Sequence, residues 1–196
     1  MHARPLGNAV LGALVLVALL SCDSEPAYSQ TPLWKTYTDT VYGYAFNYPP
    51  RYRMQEQFQS LYLTDGHIRT EVYVLDLTRS MSRAGSHWDL ASLAAERAEA
   101  TCMADGPDCS TSCKARGVEV IPNSHGVRVV AVPRTRFDTC KPSPARTLDP
   151  LYVADLSGGG TYYLLIFGAE LDKPAVPVDT LRVIVATIRR VAKPER

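Results

Sequence analysis

The sequence predicts an α+β domain, a mainly antiparallel sheet with helices packed on it. Three observations lead there. Turn signals recur between β-rich runs, at Asp65-Gly66, Asn123-Ser124-His125 and Ser157-Gly158-Gly159-Gly160. The segment Trp88–Met103 carries apolar residues at helical spacing. The runs LYVADL and YYLLIF are apolar at successive positions, so both faces of each strand need cover, as in the centre of a sheet. Strands, helix, strand hairpins and a last helix follow in that order.

The chain starts with Arg4 as its one fixed charge before the apolar run AVLGALVLVALL at residues 9–20. A membrane-spanning helix needs about 20 apolar residues. This shorter run behind a basic start suits the central stretch of an export signal. It ends in Leu19-Leu20-Ser21-Cys22, which resembles the lipobox of bacterial lipoproteins. Leu19, Ser21 and Cys22 match. Leu20 departs, because a small or hydroxyl residue is commoner there. The resemblance implies a signal peptide over 1–21, cleavage after Ser21 and a fatty-acylated, diacylglycerol-bearing Cys22. That places the protein at a cell membrane, lipid-anchored and facing the periplasm or the cell exterior, since two or three acyl chains anchor stably. Asp23 is the residue that keeps some Gram-negative lipoproteins at the inner membrane. Residues 22–33 are polar and proline-containing and read as a flexible tether, with a reach of about 40 Å. Residues 34–196 are left for a single α+β domain.

Within that domain, Val41–Tyr48 alternates Tyr42, Tyr44, Phe46 and Tyr48 with smaller residues, so one strand face is aromatic. Core packing under a helix is the plain reading of that face, and a platform for stacking sugars is the sharper one. Pro49-Pro50 ends the strand. Asp65-Gly66 joins the next two strands with turn chemistry that wants positive φ. Ser86, with Asp89 three residues on, approximates a capping box for the helix. Leu90, Leu93, Ala94 and Arg97 share one side of it, continued by Ala98 and Thr101, and Gly106-Pro107 marks its end. The pairs GVEVIP/GVRVVAVPRTRF and DPLYVADL/TYYLLIFGAEL are hairpins. In VDTLRVIVATIRRV, Val178, Leu181, Val185 and Ile188 make a helical stripe, and Arg189 and Arg190 suit a helix C-terminus. The β-branched content of this segment makes a strand the other reading.

The chain has 21 basic and 20 acidic residues. Loss of Arg4 with the signal leaves them balanced, which argues against nucleic acid as a partner. Beyond Cys22 there are four cysteines, Cys102, Cys109, Cys113 and Cys140. An even number in an exported chain points to two disulfides. Their spacing lacks the paired CxxC or HxxxH of zinc sites, and CSTSC is one residue longer than a redox CxxC. A hairpin turn centred on Asn123–His125 sets Cys109 opposite Cys140 and Cys113 opposite Arg136, about 13 Å from Cys140 along the strand. Bridged Cα atoms lie within about 7 Å. This favours Cys109–Cys140 with Cys102–Cys113. Gly106, Pro107 and Gly117 keep the other pairings open, because a loop there brings any of the three partners near Cys140.

The segment Tyr42-Gly43-Tyr44-Ala45-Phe46-Asn47-Tyr48-Pro49 resembles the opening strand of PsbP-like domains, and Leu181–Arg190 resembles their C-terminal helix. The match covers only these two short stretches, and the four cysteines are not part of that family's pattern. The resemblance implies an α/β/α sandwich used as a binding or assembly module, and it carries over no catalytic residue.

Function is less legible. His67 and His125 fall in or beside turns and His87 at a helix start. No histidine pair has ligand spacing, and there is no GxSxG or glycine-rich phosphate loop before a helix. No catalytic, cofactor-binding or metal-ligating set emerges, although Asp65, Asp76, Asp89 and Asp155 could converge in three dimensions. The expectation is a noncatalytic envelope lipoprotein that binds an envelope protein partner. The alternative is a small-molecule or glycan binder that uses the tyrosine-rich face.

Overall fold

The computed structural model describes residues 34–57, 60–78, 89–101, 104–106, 109–138, 145–158, 161–168 and 176–192. The signal segment, the tether, Cys22, Ser86, His87, Trp88, Cys102 and Cys140 lie outside them.

Two sheets form. The smaller has the order β1-β2-β12, from Lys35–Asp39, Tyr44–Tyr48 and Arg189–Arg190. The larger is nine-stranded. It runs β3 (Arg53–Gln57), β4 (Ser60–Thr64), β5 (Arg69–Asp76), β11 (Tyr162–Gly168), β10 (Arg146–Asp155), β9 (Val129–Asp138), β7 (Cys109–Ala115) and β6 (Ala104–Gly106). Strand β8 (Glu119–Ile121) pairs with β9 on the same side as β7. Every pairing among the described residues is antiparallel. The two helices are short, α1 over Leu90–Ala100 and α2 over Val178–Ala186. The fold is therefore richer in sheet than a balanced sandwich.

Strands β10 and β11 occupy the middle of the large sheet, as their two-sided apolar pattern requires. Leu151, Val153, Tyr163 and Leu165 join Leu90, Leu93, Ala94 and Ala98 of α1 in one core. The alternate residues Tyr152, Ala154, Leu164 and Ile166 join a second core with Leu181, Ile184 and Val185 of α2. Tyr44, Phe46 and Tyr48 of the small sheet complete that second core. The period of two along each strand thus assigns its side chains to two separate layers.

Helix α1 starts later than the capping-box reading places it. Asp89 is the N-cap, and its carboxylate accepts from the backbone N–H groups of Ala91 and Ser92. Aspartate at the cap satisfies two donors that would otherwise be orphaned. The stripe Leu90, Leu93, Ala94 and Ala98 is buried as expected.

Helix α2 ends sooner than expected, and Ile188, Arg189 and Arg190 lie beyond it. The Thr187 hydroxyl donates to the Ile184 carbonyl and accepts from the Asn47 N–H, while Asn123 Nδ2 donates to the carbonyls of Val185 and Ile188. With its last carbonyls met by side chains, the chain straightens. Arg189 and Arg190 then pair with Ala45 and Tyr44 as β12. The β-branched character of the segment is expressed there.

The turns also differ in detail. Thr64 pairs with Arg69, so the Asp65-Gly66 loop has four residues. Asp65 Oδ1 accepts from the N–H groups of His67 and Ile68, and Gly66 supplies φ 103°. Strands β1 and β3 are short and polar and carried no clear alternation in the sequence.

Candidate functional site

The principal cavity among the described residues is an open cleft of about 900 Å³ between the small sheet and the β3–β5 end of the large one. Tyr37 and Asp39 come from β1, Tyr42 from the turn that follows, Glu56 from β3, and Tyr73 and Asp76 from β5. β1 delivers its pair because residues two apart share a face. Tyr37 and Asp39 are half-buried while Lys35, Thr36 and Thr38 are exposed.

Local contacts fix the walls. Asp39 Oδ1 accepts from the N–H groups of Val41 and Tyr42, holding the β1–β2 turn. The Tyr42 ring packs edge-on to Tyr162 at 5.6 Å between centroids. Tyr37 lies 5.4 Å from Phe46 and 6.1 Å from Tyr44. Asp76 Oδ1 accepts from both the N–H and the hydroxyl of Thr78. Glu56 is exposed to the cleft and has no hydrogen-bond or ion-pair partner among the described residues. Arg69 reaches the rim, where it hydrogen-bonds Gln57 and stacks over Tyr62. Among the described residues no lysine or arginine lines the cleft.

The cleft is electronegative. Burial raises the Tyr37 phenol above its ordinary value, and Asp39 and Glu56 raise it further. Tyr42 is raised by burial, then by Asp76 and Asp39. Tyr44 is raised by burial and by its contacts with Tyr37 and Asp39. Register separates two of the carboxylates, since Glu56 pairs with Leu61 and Leu61 with Val72, four residues along β5 from Asp76.

The aromatic face read from Val41–Tyr48 divides. Tyr44, Phe46 and Tyr48 are 1%, 0% and 8% exposed and belong to the core. Tyr42 alone of that stripe reaches the cleft as an accessible side chain. Asp65, Asp76, Asp89 and Asp155 do not converge. Asp65 and Asp76 stand at opposite ends of β5, and Asp89 caps α1. Asp155 is fully buried, where it accepts from Arg128, Ser157 and the Gly158 N–H. It holds Ser157 and Gly158, which follow β10. Gly158 has φ 69°, and a Cβ there would meet the Arg190 guanidinium.

Of the cysteines, Cys113 is 4% exposed on β7 and faces Arg136, the register expected from the hairpin. Cys109 opens the same strand. His67 and His125 are exposed. Among the described residues no three His, Cys, Asp or Glu side chains group closely enough to hold a metal ion. Nor is any helix among them long and apolar enough to cross a membrane. Tyr37, Asp39, Glu56 and Tyr73 were not singled out in the sequence. No clear pattern in β1 marks the first two, and their union with β3 and β5 is a product of the tertiary fold.

No protein-family model matches the chain, and no curated protein matches it. Two solved structures are similar to it. One is the solution structure of cyanobacterial PsbP (CyanoP) from Synechocystis sp. PCC 6803. It is 12% identical with a TM-score of 0.49, covering 80% of this chain and 92% of that one. The other is a crystal structure from Bacteroides thetaiotaomicron VPI-5482, 10% identical with a TM-score of 0.39, covering 84% of this chain and 51% of that one. Both are too distant to transfer a site residue.

Proposed function

We propose that this chain is a lipid-anchored, noncatalytic binding module of the bacterial cell envelope that takes a small molecule in the β1–β5 cleft. The observation that carries the reading is the cleft itself. Its volume of about 900 Å³ falls in the range of small-ligand sites, which combine apolar walls with a few placed polar groups. Tyrosines and carboxylates from four separate segments line it. The lipobox ending in Cys22 supplies the anchor, and residues 22–33 lead directly into β1, one wall of the cleft. Stapling by two disulfides belongs to the same reading. Four cysteines beyond Cys22, an even number, suit an oxidising compartment.

Small-molecule capture tests it. Full-length lipidated protein is purified in mild detergent, denatured, and the released compounds are identified by mass spectrometry beside a Ser60→Trp variant. Ser60 lines the cleft at the start of β4, and an indole there fills space without altering charge. A compound retained by the wild type and absent from the variant supports the proposal. If wild type retains nothing that the variant lacks, the proposal fails.

Docking on an envelope protein is the second reading, favoured by one observation. Val118 and Val120 are 38% and 76% exposed at β8, whose described pairing is to β9 alone. Exposed apolar side chains beside an open strand edge suit strand addition.

A further inference from the structure

We infer that the end of the domain bearing Trp34, Lys35, Arg51 and Arg53 lies against an anionic lipid surface. This rests on the lipid anchor at Cys22 in the proposed function and is independent of the cleft. Register brings these residues to one end. Lys35 opens β1 and pairs with Tyr48, the last residue of β2. The chain then turns, with the Tyr52 N–H donating to the Pro49 carbonyl, and β3 begins at Arg53. Lys35 Nζ donates to the Tyr52 carbonyl at 3.5 Å, and the Arg51 guanidinium lies 4.7 Å over the Tyr52 ring. Lys35, Arg51 and Arg53 are all exposed. Half-buried Arg189 joins them from β12 by donating to the Asn47 side chain, next to Tyr48. Among the described residues none of these four cations is in an ion pair. Two acids stand near them. Asp65 is exposed one residue beyond Thr64, the partner of Arg53. Glu56 lies three residues along β3 from Arg53, about 10 Å away. Cations therefore exceed acids at this end, and Asp39 closes the far end of β1.

The point where the chain enters selects a bilayer as the occupant. Residues 22–33 lead directly into Trp34 and Lys35, so a lipid on Cys22 ties this end to the membrane. Trp34 is half-buried at the edge of the core, and an indole suits the membrane–water interface. Exposed cations act over about 10 Å at 0.1 M salt. A tether keeps the domain within reach of that range by raising its effective concentration at the surface. An acyl anchor joined to a basic patch is a two-signal attachment. Here the anchor supplies retention and the patch supplies orientation, drawn by the negative potential of anionic headgroups.

Lipidated protein, expressed from the full chain, is reconstituted into two kinds of vesicle. One is brominated phosphatidylcholine alone, and the other has about a third of the lipid replaced by phosphatidylglycerol, which supplies the anionic surface. Bromine quenches tryptophan emission on contact, so the readout is the loss of fluorescence in each. The expected result is stronger quenching in the anionic vesicles. That difference should vanish in Lys35→Gln/Arg51→Gln/Arg53→Gln, in Trp34→Phe and at high salt, and should persist in Arg51→Lys/Arg53→Lys, which keeps the charge. Unchanged unfolding temperatures show that the variants are folded. Equal quenching in the two vesicles, or a difference that survives in the glutamine variant or in Trp34→Phe, overturns the inference. Fatty-acid labelling is run on the same samples. A wild type that takes up no label removes the anchor and this inference together. Labelled protein whose quenching ignores headgroup charge removes this inference alone.

Discussion

Single side chains hold this protein's turns and element ends together, and Asp155 is the most consequential. It is a fully buried carboxylate. Burial alone would push its pKa up. The bond from Arg128, the Gly158 N–H and the Ser157 hydroxyl outweigh that and hold it below the ordinary carboxylate value. The sign follows. A depressed carboxylate stabilises the fold above its unfolded pKa of about 4, and that stabilisation is lost as pH falls through the lower folded value. Asp155→Ala removes the buried acceptor of the Arg128 guanidinium, the Ser157 hydroxyl and the Gly158 N–H. It should cost about 2–3 kcal/mol in urea unfolding at pH 7, with the gap to wild type closing as the pH drops below about 4. A variant as stable as wild type at pH 7 contradicts the assignment. None of this was legible in the sequence, where Asp155 reads only as a polar residue at a strand end. Arg134 is a comparable case. Its guanidinium is buried, with its pKa lowered by burial to about 10. It donates to the Asp149 carbonyl and to Thr101 Oγ1, at the C-cap of α1. Arg134 is an internal clasp, positioned where the helix dipole favours a cation.

At the level of elements, hydrophobic period and turn chemistry located most of the large sheet. β10 and β11 were legible because both their faces are apolar. α1 was legible because Leu90, Leu93, Ala94 and Ala98 recur at helical spacing. The end of α2 was not, because Thr187 and Asn123 close it through tertiary bonds that no local pattern announces. β7 is the most testable element. Opposite β9 it pairs Thr111 with Asp138 and Cys113 with Arg136. One more step of two residues in that register sets Cys109 against position 140. Opposite β6 it pairs Ala104 with Thr111 and Gly106 with Cys109, and the same step sets Cys113 against position 102. Directly opposed residues in an antiparallel pair have Cα atoms about 4.5–5.5 Å apart, within disulfide range. Extended by two residues beyond the described pairs, both registers would give the connectivity Cys109–Cys140 and Cys102–Cys113. Non-reducing digestion with mass spectrometry should recover those two linked peptides, and a peptide joining Cys102 to Cys109 or to Cys140 would refute the register. A smaller expectation concerns α1. Asp89→Ala removes the cap and should lower stability by about 1 kcal/mol, whereas Ser86→Ala should leave it within error.

The whole molecule is a large antiparallel sheet with α1 over one face, and α2 and the three-stranded sheet over the other. Its cleft opens where the small sheet meets the β3–β5 end. The core was largely readable in the sequence, since hydrophobic pattern assigns side chains to layers. The cleft was not, because Tyr37, Glu56 and Asp76 come together only when three hairpins fold. The chain enters this body beside the cleft. Trp34 packs on the same core as Tyr37, and β1 follows at once. An anchor on Cys22 would therefore hold the cleft within about 40 Å of the bilayer, on a leash whose prolines and polar residues form no competing structure. Anchor and ligand site are separable on this plan. Cys22→Ser should abolish incorporation of a clickable fatty acid, because the thiol that would carry the lipid is gone. The substituted protein should keep the unfolding midpoint of the lipidated form, since residue 22 lies outside the described residues. Label retained by Cys22→Ser, or a wild type that never takes up label, would refute lipid attachment at this cysteine.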